Sequence, residues 1–249
     1  MQRFSGLMLA SLLSVQPFTA RAHEFLTADQ DAWPSSILVV RSPDPNTSVL
    51  WQRTLPTTDR FVPKIQSLTR LQDGTTVFCS GLDRSVFAMR PGGEVELHYG
   101  GSLVRQVRTD TNGDLYWSGL ETPIDNNPLP SGFIHRKRMG TGDAETVLTF
   151  SQGDVGNDWW GAFDVRAGEI YVATLQAPSR IYRIERSIPQ LVATLPISIR
   201  SFRFDSDQSI MATSSEGQIC RFDDLRGNPN RYEVIARRPF KMVDFVSLP

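Results

Sequence analysis

The chain has 249 residues, of which 40% are hydrophobic, 21% charged and 10% aromatic, a balance that excludes disordered, collagenous and coiled-coil chains and fits a globular fold. Its 26 basic and 27 acidic residues leave a formal charge of −1. There is no basic excess to recruit nucleic acid or an anionic membrane, and no acidic tail.

Residues 1–22 read as an export segment. Arg3 precedes an apolar run over residues 4–15, and Ala20-Arg21-Ala22 follows as an A-x-A cleavage pattern. The run is too short to span a bilayer, no cysteine follows it to accept a lipid, and no later stretch is long enough for a membrane helix. The expectation is a signal peptide over 1–22 and one domain over 23–249, exported to a periplasmic or extracellular location as a monomer without a membrane span.

In chain order, the domain opens on a strand from Glu24, followed by strands at 37–41 and 49–53. A first full unit starts at Ile65 and continues with strands at 76–80, 85–89 and 95–99. A second starts at Val104 and continues at 114–118, 132–137 and 145–150. A third starts at Trp160 and continues at 169–174, 180–184 and 190–195. A fourth starts at Ile199 and continues at 209–213, 218–222 and 232–236. The runs are rich in β-branched and aromatic residues and are separated by turn residues. The segment 242–248 then resembles the first strand of a unit with nothing after it.

These units are copies of one repeat. Val104-Arg105-Gln106-Val107-Arg108-Thr109-Asp110 lies over Ile199-Arg200-Ser201-Phe202-Arg203-Phe204-Asp205, and looser copies start at Ile65, Trp160 and Met242. The starts are separated by 39, 56, 39 and 43 residues, which fits propeller repeats of roughly 40 to 50. The longer interval between Val104 and Trp160 is filled by a loop at 121–131, where Pro123, Pro128 and Pro130 argue against ladder pairing. At the N-terminus, Glu24-Phe25-Leu26-Thr27-Ala28 resembles Glu169-Ile170-Tyr171-Val172-Ala173, the second strand of a unit. The sequence therefore predicts an all-β, five-bladed β-propeller of four-stranded antiparallel blades. A composite blade, made of one C-terminal first strand and three N-terminal strands, closes the ring and removes an open sheet edge.

Cys79 and Cys220 each lie in an apolar strand-like run and read as buried thiols. They fall in blades separated by the composite one, too far apart for a disulfide. Asn46-Thr47-Ser48 is a glycosylation sequon only in a eukaryotic setting.

The run Gly161-Ala162-Phe163-Asp164, Gly168-Glu169-Ile170-Tyr171-Val172-Ala173 and Arg180-Ile181-Tyr182-Arg183-Ile184 resembles a blade of the NHL and SMP-30/gluconolactonase-like propellers. Members of the lactonase branch have six blades and hold a divalent metal at the channel mouth with a Glu, Asn and Asp set. The resemblance thus implies, as an alternative function, a hydrolase or lyase acting on a lactone or carbohydrate, with a divalent metal as its cofactor. The corresponding positions here carry Gln66, Arg105, Gly161, Arg200 and Val243, then Ser67, Gln106, Ala162, Ser201 and Asp244. Two arginines near the axis repel a cation, and Asp244 alone cannot supply the oxygen ligands that calcium needs.

The first expectation for function is therefore a ligand-binding or protein-interaction module with no cofactor and no metal. Its ligand is a small molecule, a carbohydrate or a protein. The candidate face carries the connections that precede first strands and those between second and third strands. Two long polar loops meet there, with Asp125, Asn126, Asp154, Asn157 and Asp158 as polar candidates and Trp159 and Trp160 as stacking surfaces. Arg105 and Arg200 are placed near the axis, either to bind a carboxylate or phosphate or to pair with Asp244 across the channel. Asp110-Thr111-Asn112-Gly113-Asp114 has the start of a calcium loop, but its register makes it a hairpin turn. A copper site at His23 would need a second imidazole, and His98 and His135 fall on other blades.

Overall fold

The computed structural model describes residues 23–29, 35–42, 47–53, 64–80, 85–100, 103–120, 132–150, 160–206, 209–225, 230–238, 240 and 242–248. The expected export segment and both long polar loops lie outside them. The described residues form five four-stranded antiparallel sheets arranged as the blades of a β-propeller. The first blade after the composite one comprises Ile65–Arg70, Thr76–Ser80, Ser85–Met89 and Val95–Gly100. The second comprises Leu103–Thr109, Leu115–Leu120, Gly132–Lys137 and Ala144–Phe150, and the third Trp160–Arg166, Glu169–Thr174, Ser179–Glu185 and Ile188–Leu195. The fourth comprises Ile199–Phe204, Ile210–Ser214, Ile219–Phe222 and Glu233–Ala236.

The composite blade forms as the repeat predicts. Met242–Ser247 pairs with His23–Asp29, which pairs with Ser35–Ser42 and then Thr47–Arg53. The register sets Phe25 opposite Ser247 and Leu26 opposite Val246. Joining both ends of the chain in one ladder removes the free edges that an open ring would present.

Hairpin turns carry the local signals. Between Arg166 and Glu169, which pair directly, a two-residue turn places Ala167 at φ 50 and Gly168 at φ 79. Positive φ at both central positions is the geometry that matches the right-handed twist of the flanking strands.

Each blade is apolar on both faces, because each is sandwiched between two others. Among the described residues the core divides into five clusters, one per blade interface. Leu26, Ile37 and Val243 meet Leu68 and Phe78 between the composite and first blades. Val77 and Cys79 meet Val107, Trp117 and Phe133 in the next interface. Tyr116 and Ile134 meet Phe163 and Val172, Ala173 and Ile181 meet Phe202 and Phe222, and Met211 and Ile219 meet Phe25 and Phe245. Each fully buried Phe contributes about 1.5 to 3 kcal/mol, so the ring is held by five similar interfaces rather than one central core. The channel itself is filled by polar side chains.

Both cysteines are free and buried, in different interfaces. Burial pushes the Cys79 thiol well above its ordinary value and the Cys220 thiol up to about 11. Both therefore stay protonated and unreactive at neutral pH.

Candidate functional site

The site begins with a defect repeated in every inner strand. Ile65 pairs with Ser80 and Ser67 with Cys79, which leaves Gln66 as an extra residue. The same slip falls at Arg105, between the pairs Val104–Gly119 and Gln106–Ser118, and at Gly161 and Arg200 in the third and fourth blades. In the composite blade the register shifts between Thr27–Phe245 and Asp29–Met242. A bulge turns its strand and interrupts the alternation of side chains. In the second blade, the consecutive residues Arg105 and Gln106 both reach the same cavity.

That cavity measures about 380 Å³ and opens at the channel mouth. Lys64, Gln66, Arg105, Gln106, Arg200 and Ser215 give it polar walls, and Ile65, Leu175, Ile199 and Val243 supply its apolar surface. The residues come from the inner-strand starts and from connections between second and third strands, the face expected from the repeat. Burial lowers the pKa of the Arg105 guanidinium below its ordinary value. Gln106 is almost fully buried. Its Oε1 accepts from the Phe163 amide at 2.8 Å and its Nε2 donates to the Arg200 carbonyl at 3.0 Å. One side chain thereby ties the inner strands of the second, third and fourth blades beneath the cavity.

Deeper in the channel lies a buried ionic network. Arg108 and Asp244 are completely buried. Arg108 Nη1 donates to Asp244 Oδ2 at 2.7 Å and Nη2 to Oδ1 at 3.3 Å, a bidentate pair. Ser67 Oγ donates to Asp244 Oδ2, and the amides of Leu68 and Phe245 donate to its two oxygens. Arg203 Nη2 donates to the Leu68 carbonyl at 2.7 Å and lies 4.0 Å from Asp244 Oδ2. Asp164 accepts from the Phe204 amide at 2.8 Å and sits 3.8 Å from Arg108 Nε. Two arginines and two aspartates balance in charge.

Burial alone would raise the Asp244 carboxyl, but Arg108 and Arg203, with the hydrogen bonds from Ser67 and Arg108, hold it below the ordinary carboxylate range. At Asp164 burial prevails over both arginines and raises the pKa. Burial and the neighbouring charge of Arg108 bring Arg203 down to about 10.

The partners of Asp244 differ from the pair considered in the sequence. Arg105 and Arg200 stand at the cavity mouth, while Arg108 and Arg203, the second arginine of each repeat, make the ion pairs. The bulge is the reason. It keeps the first arginine at the mouth, and the alternation that resumes after it carries the second one into the channel. Asp244, considered for ligand contact, is fully buried and engaged by Arg108. Arg108 and Arg203 were the residues missed. Their signal in the sequence was the recurrence of two arginines three positions apart in each of two inner strands.

The remaining candidates are spread out or undescribed. Asp125, Asn126, Asp154, Asn157, Asp158 and Trp159 lie outside the described residues, and Trp160 opens the inner strand of the third blade opposite Thr174. Asp110 accepts from the amides of Asn112 and Asp114, each at 2.9 Å, and from the Tyr116 hydroxyl. Its carboxylate thus organises a hairpin turn. His23 stacks on Phe25, and His135 packs on Phe133 in a different blade. Among the described residues no group of three or more His, Cys, Asp or Glu side chains is placed to hold a metal ion.

No family model matches the sequence, and no curated protein matches it. Solved structures do resemble the fold. A gluconolactonase from Xanthomonas campestris superposes with a TM-score of 0.55 at 11% identity, covering 90% of this chain and 80% of its own. A protein described as a candidate gluconolactonase gives a TM-score of 0.52 at 15% identity, over 92% of this chain and 85% of its own. At these identities the likeness is one of fold: the chain is a β-propeller that resembles these two structures in its architecture.

Proposed function

We propose that the chain is an exported ligand-binding propeller that takes a small molecule at the mouth of its channel. The observation carrying this reading is the cavity of about 380 Å³, a size typical of small-molecule pockets. Its rim is built from side chains at inner-strand bulges, and its floor is fixed by Gln106 and the ionic network below. A rim positioned before binding reduces the ordering cost of association. Export draws its support from the basic start, apolar run and A-x-A pattern of residues 1–22. The first described strand starts at His23, so cleavage after Ala22 leaves every described strand intact.

A second reading, a hydrolase or lyase acting on a lactone or carbohydrate, draws support only from the fold shared with the gluconolactonases. The described rim does not fit a divalent cation, because Lys64, Arg105 and Arg200 bring positive charge and the other polar groups are amides and a hydroxyl. Metal analysis with and without chelator separates the readings. A stoichiometric divalent metal whose removal abolishes lactone turnover would establish the enzyme.

The binding reading is tested by a thermal-shift screen of small molecules on the wild type and on Ser215→Trp. Ser215 is exposed in a turn at the cavity rim, so an indole there fills the space without touching the core. Stabilisation seen in the wild type should vanish in the variant. Ligands that stabilise both proteins equally, or a screen without any response, would overturn the reading.

A further inference from the structure

We infer that the first blade holds a second ligand site, at the end of the ring opposite the channel mouth, which takes an uncharged polyhydroxylated ring such as a single sugar residue. The site is separate from the mouth, and the binding reading above does not bear on it.

The repeat carries the argument. Every outer strand has one extra residue in its ladder, at Leu50, His98, Val147, Val192 and Ile235. Counted from that bulge, the second row across each blade compares equivalent positions. It reads Tyr116, Arg136, Glu145 in the second blade and Tyr171, Arg183, Gln190 in the third. In the fourth it reads Met211, Arg221, Glu233. The three arginines are ion-paired, with Glu145, Glu169 and Asp205 respectively. The composite blade has an uncharged row, Leu26, Val39 and Ser48. The first blade has Val77, Ala88 and Glu96: it keeps the acid of the second and fourth blades without the arginine or its large neighbour. A cavity of about 370 Å³ opens there, with Val77 and Ala88 in its wall beside Leu71 and Thr75.

The space is emptied without stranding a charge. Arg90, from the turn after the third strand, donates through Nη2 to both Glu96 oxygens at 3.4 Å. Asp73 is the second carboxylate at the cavity, and its Oδ1 accepts from the Thr75 amide at 2.8 Å. Lys137 of the second blade is the second cation, close enough to act on His98. Two acids and two bases therefore surround the cavity, a balance that favours a neutral ligand over either ion.

His98 occupies the bulge where the other four blades carry Leu50, Val147, Val192 and Ile235. A bulge re-aims its side chain, and this one lines the cavity half-buried. The imidazole makes no hydrogen bond among the described residues. Burial, assisted by Lys137, lowers its pKa, so at neutral pH the ring offers one donor and one acceptor. Carboxylates at Asp73 and Glu96, the guanidinium of Arg90 and this imidazole match hydroxyl groups, each of which donates and accepts at once. Leu71, Val77 and Ala88 supply the apolar surface for the C–H face of a ring.

The test is a methyl NMR titration of the purified protein with labelled Ala, Ile, Leu and Val. The probes are glucose, galactose, mannose and N-acetylglucosamine, with glucosamine and galacturonate as charged counterparts. At least one neutral sugar should shift the methyls of Leu71, Val77 and Ala88 saturably, independently of Ile65 and Ile199, which report the mouth. Ala88→Arg restores the residue of three other blades and should abolish the shifts of Leu71 and Val77. His98→Leu, which adopts the residue of the composite blade, should weaken binding about fivefold, the size of one neutral hydrogen bond. Arg183→Gln, at an exposed ion pair on the third blade, should leave binding unchanged. Unaltered core methyls of Leu68 and Ile210 would show that each variant is folded.

Shifts confined to the mouth, or none with all four sugars, would overturn the second site, and the Ser215→Trp screen decides the mouth separately. A charged counterpart that binds more tightly than its neutral sugar would overturn the uncharged class. Sugar binding undiminished in Ala88→Arg would overturn the assigned cavity; if that variant does not fold, unchanged affinity in His98→Leu would do so.

Discussion

Arg108 and Asp244, 136 residues apart in sequence, form a bidentate ion pair in the channel with contacts of 2.7 and 3.3 Å, and both are fully shielded from solvent. The pair joins the inner strand of the second blade to the C-terminal strand that closes the ring. Through Ser67 and Leu68 the same carboxylate holds the first blade, and Arg203 adds the fourth.

Breaking this pair on one side strands a buried charge. Asp244→Ala is expected to destabilise the protein by about 3 to 5 kcal/mol. Arg108→Ala, which leaves Asp164 and Asp244 facing Arg203 alone, should cost at least as much. The double replacement Arg108→Met with Asp244→Leu leaves Asp164 and Arg203 balanced and should regain part of the loss. Urea unfolding midpoints measure all three, and single variants within 1 kcal/mol of wild type would contradict the network.

The two channel aspartates should pull the pH dependence of stability in opposite directions. The Asp244 carboxyl is lowered from its unfolded value near 3.8, so its stabilisation is full above that value and is lost as pH falls below it. Asp164 is raised from the same starting value, so its contribution is greatest below that value and declines as pH rises through the raised one. Asp244→Asn should therefore flatten the acid limb below about pH 4, whereas Asp164→Asn should remove a decline on the side above it. Thermal melts across pH 2.5 to 7 distinguish the two, and the same change of profile in both variants would show the assignment to be wrong.

Deletion of the last ten residues removes Met242–Ser247, and with it both the fifth inner strand and Asp244. Two sheet edges open and Arg108 loses its closest partner. The melt should lose its cooperativity or fall to a much lower temperature. A circular-dichroism melt unchanged by the truncation would eliminate ring closure as a source of stability.

The repeat made most of the fold legible because blades announce themselves in register. Thr76–Ser80, Ser85–Met89, Gly132–Lys137 and Glu169–Thr174 coincide with the strands read from the sequence, and the composite blade followed from matching Glu24-Phe25 to Glu169-Ile170. The channel was harder to read. A bulge adds one residue without a compositional mark, so strict alternation beyond Arg105 and Arg200 could not tell mouth from channel. Which arginine meets Asp244 depends on that single residue. The side of the site that rests on Asp125, Asp158 and Trp159 depends on loops whose lengths and prolines show only that they leave the ladder.

Gln106 gives the sharpest separation between scaffold and site. Its oxygen accepts from the Phe163 amide and its nitrogen donates to the Arg200 carbonyl, so it acts on a ligand only through the position of Arg200. Gln106→Leu keeps the volume but leaves the buried Phe163 amide without that acceptor, a loss of about 1 to 3 kcal/mol. Gln106→Glu behaves differently with pH. Protonated, its carboxyl keeps both contacts, accepting from the Phe163 amide and donating to the Arg200 carbonyl; ionised, it sets a buried negative charge against that carbonyl. The two variants should therefore diverge. Gln106→Leu should lower the melting temperature by a similar amount at every pH, whereas Gln106→Glu should stay near wild type at low pH and lose stability as pH rises through the raised pKa of its buried carboxyl. Thermal melts of both variants from acid to neutral pH measure the difference. Equal deficits in the two variants at every pH would show that the Arg200 carbonyl does not depend on the Gln106 donor.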